Sequence, residues 1–258
     1  FGMYDVTIHK GERASVAKHY LYPIEKRENL TISPDSFVEK IIFEGTQAKG
    51  VEVKINNKKK ILYINKEIIL SAGCINSPQL LMISGVGPAQ DLRELGIRVV
   101  KDLPGVGKNL QDHLETYIQQ ECKTNNTLYS ATKLINKVAL GTQWFLFKSG
   151  IGASSHLEAG GFAKSSNSFK DPNIQFHFFP SFVIHHGLMN PKKHGFQLHA
   201  SPNHPKSRGE VALRSSNPYD YPKIKFNYLS HEDDLKQTRE CIHIARKILS
   251  QNALKPFA

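Results

Sequence analysis

One short segment restricts the folds open to this chain more than any other. Residues 67–70 form an almost wholly apolar run, which favours a strand buried on both faces of a parallel sheet. A turn of small residues follows at 71–73, and Asn76 or Ser77 then caps a helix with Pro78 at its first position.

The same pattern continues with a second short helix, which begins at Pro88 and is closed by Gly96. Residues 97–100 predict another strand, and a Pro-Gly loop follows at 104–107. A strand, a tight turn, two helices and a strand, in this order, are how a doubly wound sheet brings its backbone close to a dinucleotide. The fold class predicted for this part of the chain is therefore α/β.

Residues 29–73 are rich in β-branched and aromatic residues, which indicates strands. The runs 50–55 and 61–64 flank a polar stretch as a hairpin, and the three lysines at 58–60 form its solvated tip. They are the only tight basic run in a chain of net charge +11. Because a nucleic-acid-binding protein concentrates such charge in a stripe or cluster, the sequence argues against a nucleic-acid partner.

The second half of the chain has a different pattern. A helix with an apolar face is predicted over residues 128–148, and a capping box at 230–233 begins the last helix. Between them, turn residues separate four strand-like runs, which we expect to form one antiparallel sheet: 174–179, 196–200, 209–214 and 223–228. The chain as a whole is thus predicted to be α+β.

The cysteines, a histidine pair and the hydrophobic runs argue against disulfide-bonded, metal-binding and membrane-spanning proteins. Cys74, Cys122 and Cys241 are odd in number and far apart, so we expect neither a disulfide framework nor a cysteine metal site. His185 and His186 lack a carboxylate or cysteine at ligand spacing, and we predict no metal. No apolar run approaches the roughly 18 residues that span a bilayer.

Residues 71–87 resemble the second signature of the glucose-methanol-choline (GMC) oxidoreductases, and the loop at 105–113 is also similar to that family. Further runs at 113–122, 150–162 and 173–178 look most like the members that oxidise choline. The resemblance extends from about Gly11 to the last residue.

This resemblance implies an FAD-dependent alcohol dehydrogenase that oxidises choline to betaine aldehyde. In the family a histidine takes the alcohol proton and a hydride passes to the flavin. We expect the Gly-rich FAD fingerprint before Phe1 and the catalytic histidine after Ala258, and we interpret both ends as cuts in a longer polypeptide. No catalytic residue is therefore assigned within this chain, which alone should be inactive.

The resemblance also implies a division into two domains. Residues 1–112 are predicted to be part of an FAD-binding doubly wound domain, and residues 113–258 part of an antiparallel-sheet substrate domain. A eukaryotic protein of this kind would be mitochondrial, on the matrix side of the inner membrane, and a bacterial one cytoplasmic or membrane-associated. Oxygen and a membrane quinone both stay open as electron acceptor.

Choline is a quaternary ammonium, which proteins recognise by its charge, by contact with aromatic faces and by its shape. By the resemblance, Glu115 lies where choline-oxidising relatives place a carboxylate against the trimethylammonium group. Glu158 is a second candidate, and His113 either shapes the pocket or has a structural role. Four aromatic residues either form faces of the substrate cage or belong to the core: Tyr117, Trp144, Phe176 and Phe178.

For FAD, the resemblance assigns Val38 to a backbone position that meets the adenine, and Ser71, Ala72 and Gly73 to the tight turn near the cofactor. Two other functions stay open at this point. One is a different GMC oxidoreductase, of the glucose dehydrogenase or aryl-alcohol oxidase type. The other is a non-catalytic basic protein that binds RNA, against which the scattered lysines argue.

Overall fold

The computed structural model describes residues 1–184, 187–189 and 192–258. Within them, four α-helices accompany short strands that pair mostly antiparallel, in agreement with the predicted α+β class. The strands are β1 (Gly2–Met3), β2 (Ile8–His9), β3 (Glu12–Arg13), β4 (Ser36–Glu44), β5 (Gln47–Ile55), β6 (Lys58–Tyr63), β7 (Val86–Gly87), β8 (Lys101–Asp102), β9 (Lys108–Leu110), β10 (Thr116–Glu121), β11 (Ala159–Ala163), β12 (Ile174–Phe179), β13 (Gly195–Pro202), β14 (Gly209–Ala212) and β15 (Lys223–Lys225). The α-helices are α1 (Gly73–Ile83), α2 (Ala89–Glu94), α3 (Leu134–Phe147) and α4 (Glu232–Leu249). Shorter helical segments are Ala17–Leu21, Tyr22–Ile24, Leu128–Thr132 and Ile151–Ala153.

The chain divides into two compact units. The first comprises residues 1–27, 113–206 and 231–258, and the second comprises residues 28–112 and 207–230. A single boundary at residue 112 was predicted from the sequence, but two segments lie in the opposite unit. Residues 1–27 join the first unit, in which β1 pairs with β11. Residues 207–230 join the second, in which β14 pairs with β9.

A five-stranded antiparallel sheet forms the centre of the first unit, in the order β1-β11-β12-β13-β10. Successive side chains of a strand point to opposite faces, so one face of β12 and β13 is apolar. Helix α4 packs against that face. The buried core consists of Ile174, Phe176, Phe196, Leu198 and Ala200 from the sheet and Cys241, Ala245 and Leu249 from α4.

Helix α4 begins at Glu232, where the side chain of His231 accepts a hydrogen bond from the backbone N–H of Asp233. The sequence predicted the capping box at 230–233, and the capping side chain is His231. Acidic side chains in the first turn and basic ones in the last turn complement the helix dipole. They are Glu232, Asp233, Asp234, Arg246 and Lys247.

In the second unit, β4, β5 and β6 form an antiparallel meander. Asn56 and Asn57 make the turn between β5 and β6 with φ angles of 48° and 63°. Asparagine tolerates this left-handed conformation, which two-residue hairpin turns require. The lysines at 58–60, predicted at the tip, instead lie within β6, where they pair with residues 53–55.

The predicted strands at 67–70 and 97–100 do not form. Both segments are non-helical, but no strand among the described residues pairs with either of them. A parallel pair forms instead between β7 and β8, and β8 begins immediately after the strand predicted at 97–100. Helix α1 begins at Gly73, earlier than the cap predicted at Asn76 or Ser77, and therefore contains Pro78 in its interior.

Two predictions for the second half of the chain need correction. The four strand-like runs do not share one sheet, because β12 and β13 belong to the five-stranded sheet whereas β14 and β15 pair beside β9 in the second unit. The helix predicted over 128–148 is the segment Leu128–Thr132 followed by α3, and the apolar side chains of α3 at Leu134, Ile135 and Phe145 are exposed. None of the described helices is long and apolar enough to cross a membrane.

Candidate functional site

One face of the five-stranded sheet carries polar side chains from three neighbouring strands. Because alternate residues of β12 and β13 face the core, the intervening ones face the other way. Tyr117, His199 and His177 lie directly opposite one another across β10, β13 and β12. Residues paired in this way project from the same side of the sheet. We call this surface the polar face, which comprises Tyr117, Gln119, Gln175, His177, Gln197 and His199.

Glu115 immediately precedes β10, and its position two residues before Tyr117 places it at the edge of the polar face. Its Oε2 lies 2.6 Å from Nδ1 of His199. The hydrogen bond with His199 holds the pKa of the Glu115 carboxyl below its usual value, with burial acting against it. The side chain is 41% exposed. An ionised carboxylate is therefore both anchored and reachable from solvent.

His113 is close to the same carboxylate. Its Nε2 lies 2.9 Å from the backbone carbonyl oxygen of Asn203, just beyond the end of β13. When protonated, the imidazoles of His199, His177 and His113 also lower the pKa of Glu115. Of the three residues predicted to bind substrate, the structure thus brings His113 and Glu115 together.

Glu158, the third predicted substrate residue, lies elsewhere. It precedes β11, and β12 and β13 separate that strand from β10. Three strand spacings amount to about 14 Å. The Ser154 hydroxyl donates a hydrogen bond to the Glu158 carboxylate and lowers its pKa. Glu158 therefore lies at the far side of the sheet from Glu115.

Of the four aromatic residues considered for a substrate cage, Tyr117 alone lies on the polar face. Its ring centroid is 5.3 Å from that of His199. Phe176 is fully buried in the core, and Phe178 packs against that core. The indole N–H of Trp144 donates to the Gly11 carbonyl oxygen at 2.8 Å, away from Glu115.

A cavity of about 700 Å³ lies in the first unit beside the polar face. His177, Gln175 and Phe162 contribute to its lining. Nδ1 of His177 is buried and has no hydrogen-bond partner among the residues that the structure describes. Burial lowers the pKa of His177 and so disfavours the charged form of its imidazole.

The second unit contains a separate cavity of about 600 Å³. Val38, Ser71 and Ala72, three of the four predicted cofactor residues, all contribute to its lining. The fourth, Gly73, adjoins Ala72 with a φ of 85°, where a side chain would be strained. The rings of Phe37 and Tyr219 stack at 4.8 Å and also line this cavity. Small residues, backbone and flat aromatic rings make a suitable environment for a planar heterocycle.

No group of histidine, cysteine, aspartate or glutamate side chains within the described residues could hold a metal ion. His185 and His186 lie outside those residues, so the structure does not report on that pair.

Sequence reasoning did not single out His177, His199 or Gln197. Each occupies an alternate position of a strand whose other face is apolar, and this periodicity was the available signal. The signal assigns a face but not a register, and only the register puts His199 beside Glu115.

Comparisons with known proteins place the chain among flavoprotein oxidoreductases. Family models described as GMC oxidoreductase match residues 1–115 and 205–258. Over 257 residues, the chain is 50% identical to the mitochondrial choline dehydrogenase of Homo sapiens and 47% identical to the oxygen-dependent choline dehydrogenase of Brucella ovis. These alignments cover 100% of this chain and, respectively, 43% and 47% of the relatives, so the chain spans less than half of their length.

Solved structures give the same result for the fold. A formate oxidase variant from Aspergillus oryzae superposes with a TM-score of 0.88 at 23% identity, covering 97% of this chain and 48% of that one. The pyridoxine 4-oxidase of Mesorbium loti superposes with a TM-score of 0.81 at 25% identity, covering 97% and 45%. The resemblance seen at residues 71–87 and 105–113 is thereby confirmed, and this chain belongs to the GMC oxidoreductase family.

Proposed function

We propose that the protein containing this chain is an FAD-dependent alcohol dehydrogenase that oxidises choline to betaine aldehyde. Its 47–50% identity to proteins named choline dehydrogenase supports this substrate. The observation that carries the proposal is the ionised, solvent-accessible carboxylate of Glu115 on a face that also carries amides, imidazoles and the ring of Tyr117. A carboxylate beside an aromatic face suits a quaternary ammonium, which has no hydrogen to donate.

We further propose that the cavity of the second unit holds part of the FAD. Val38, Ser71 and Ala72 line it, and the bend at Gly73 lets the backbone approach a ligand closely. Its size and its stacked aromatic pair fit a planar ring system. When bound, FAD would supply the two-electron oxidising power that the side chains of this chain lack.

Within the proposed substrate site, Glu115 would bind the trimethylammonium group and Tyr117 would offer its ring face. His113 would shape the same corner through its hydrogen bond to the Asn203 carbonyl. Glu158 would stabilise the turn before β11 through Ser154, and a contact of Glu158 with the substrate stays a prediction.

For location we propose a mitochondrial protein, if the source is eukaryotic, with a membrane quinone as one of two candidate electron acceptors. The human and mouse relatives are named mitochondrial. Oxygen is the competing acceptor, because the Brucella relatives are named oxygen-dependent. Following reoxidation of the reduced protein by oxygen and by a soluble ubiquinone analogue would distinguish the two.

The direct test is optical. The full-length protein should purify with a flavin absorption spectrum, and anaerobic addition of choline should bleach it. Betaine aldehyde should appear in proportion to the flavin reduced. A folded, flavin-free protein that stays inert after FAD is added would contradict the proposal. So would a flavoprotein that a sugar or aryl alcohol reduces and choline does not.

A further inference from the structure

We propose that His199 is a positioning residue for Glu115, whose carboxylate would bind the substrate. Its Nδ1 proton holds one oxygen of Glu115, and the buried amide of Gln197 selects the tautomer that carries this proton. The inference rests on the proposed function, since it assigns Glu115 to a cationic substrate. The hydrogen-bond pattern that supports it, however, is independent of any ligand.

The orientation of the Gln197 amide is fixed by the backbone. The N–H of Val183 donates to Oε1 of Gln197 at 2.9 Å, which identifies that atom as the oxygen. A second donor, Nε2 of Gln119, approaches the same oxygen at 2.8 Å. That nitrogen is identified in turn by its hydrogen bond to the Val183 carbonyl oxygen at 3.0 Å. Gln197 is fully buried, so water does not compete for the oxygen of its amide.

With its oxygen occupied in this way, Gln197 presents its NH₂ group to Nε2 of His199. An amide NH₂ only donates, so Nε2 of His199 must accept. In a neutral imidazole the other nitrogen then carries the proton. That nitrogen, Nδ1, is the one that lies 2.6 Å from Oε2 of Glu115. The chain of hydrogen bonds therefore runs in one direction, from the Val183 and Gln119 donors through Gln197 and His199 to the carboxylate.

The direction of this chain has a consequence for charge. A doubly protonated His199 would place an N–H group against the NH₂ of Gln197, which is a donor and not an acceptor. A neutral ring fixes the position of Glu115 without cancelling its negative charge. The other titratable groups that face Glu115 are the imidazoles of His113 and His177. Glu115 thus keeps a full charge for a cation, and one of its oxygens, Oε1, has no hydrogen-bond partner within the described residues.

Two substitutions at one position test the role of His199 in the full-length protein. His199→Asn places an amide nitrogen where Nδ1 was and retains a donor to Glu115, whereas His199→Leu removes the donor. The measured quantity is the ratio of kcat/KM for choline to that for 3,3-dimethylbutan-1-ol, the uncharged isostere. We expect His199→Leu to lower this ratio about tenfold and His199→Asn to restore most of it. His243→Leu, an exposed change on α4, is the matched control and should leave the ratio unchanged.

A second readout is independent of catalysis. In protein labelled with ¹⁵N-histidine, the His199 resonances, identified by their loss in His199→Asn, should show a neutral ring protonated at Nδ1 near pH 7. A ring protonated at Nε2, or an imidazolium, would overturn the inference. An unchanged ratio in His199→Leu, or equal losses in the Leu and Asn variants, would overturn it as well. By contrast, a wild-type protein without preference for choline over the isostere would refute the proposed function and leave the tautomer assignment standing.

Discussion

Replacing Glu115 with glutamine removes one negative charge from the polar face and changes little else. Glutamine has nearly the same shape, and its amide oxygen can still accept the hydrogen bond from Nδ1 of His199. The substitution therefore isolates the charge from the position of the side chain. If Glu115 contacts the trimethylammonium group, KM for choline should rise while turnover of 3,3-dimethylbutan-1-ol changes little.

The size of the effect follows from the surroundings of the carboxylate. Two unit charges about 4 Å apart interact by about 4 kcal/mol at an effective dielectric constant of about 20. Because 41% of the Glu115 side chain is exposed, water screens part of this attraction. We therefore expect a loss of about 1.4–2.8 kcal/mol, which corresponds to a rise in KM of about 10- to 100-fold.

The same strand supplies a matched control. Glu121 lies at the other end of β10, is 69% exposed and contacts Lys193. Glu121→Gln makes an identical change of charge and should leave KM for choline within about twofold. The assay is steady-state kinetics with both alcohols, with thermal unfolding to confirm that each variant folds. If Glu115→Gln left the preference for choline over the isostere unchanged, or if Glu121→Gln altered it equally, the assignment of Glu115 would be wrong.

Three further outcomes follow from the structure. Ala72→Phe should reduce the ratio of bound flavin to protein by filling the cavity of the second unit, whereas Gln90→Phe, on an exposed position of α2, should not. Phe176→Ala should lower the free energy of unfolding by about 3–5 kcal/mol in denaturant titrations, because the ring is fully buried in the core of the first unit. Burial lowers the pKa of His177 in the folded state, so its contribution to stability is fully present above the ordinary value of 6.5 and is lost as pH falls toward the lower folded pKa. His177→Gln should therefore make the melting temperature less dependent on pH below about 6.5, and an unchanged slope would contradict this.

The parts of the fold that the sequence predicted correctly are those whose pattern is local. Helix α4 has an apolar stripe and charges that match its dipole, and β12 and β13 have turn residues on both sides. The cofactor residues Val38, Ser71 and Ala72 were assigned by family resemblance, and the structure places them around one cavity. That they bind FAD remains a prediction.

The errors arise where strand pairing depends on residues that are distant in the chain. A run such as 67–70 has the composition of a buried strand, but a strand forms only beside a neighbour. The runs at 209–214 and 223–228 resemble those at 174–179 and 196–200, and composition alone does not separate two sheets. Segment 1–27 joins the first unit through β1, whose two residues are too few to give a periodic signal.

The site and the core depend on the same register. Leu198 lies opposite Ile118 and Phe178 on the apolar face, and one residue further along β13, His199 lies opposite Tyr117 and His177 on the other face. A slip of β13 by one residue would turn His199 into the core and Leu198 toward the polar face. Burial of Leu198 beneath α4 makes such a slip costly, since a leucine side chain contributes about 1.5–3 kcal/mol on burial. The hydrophobic packing against α4 therefore determines which imidazole meets Glu115, although Glu115 and His199 are 84 residues apart in the chain.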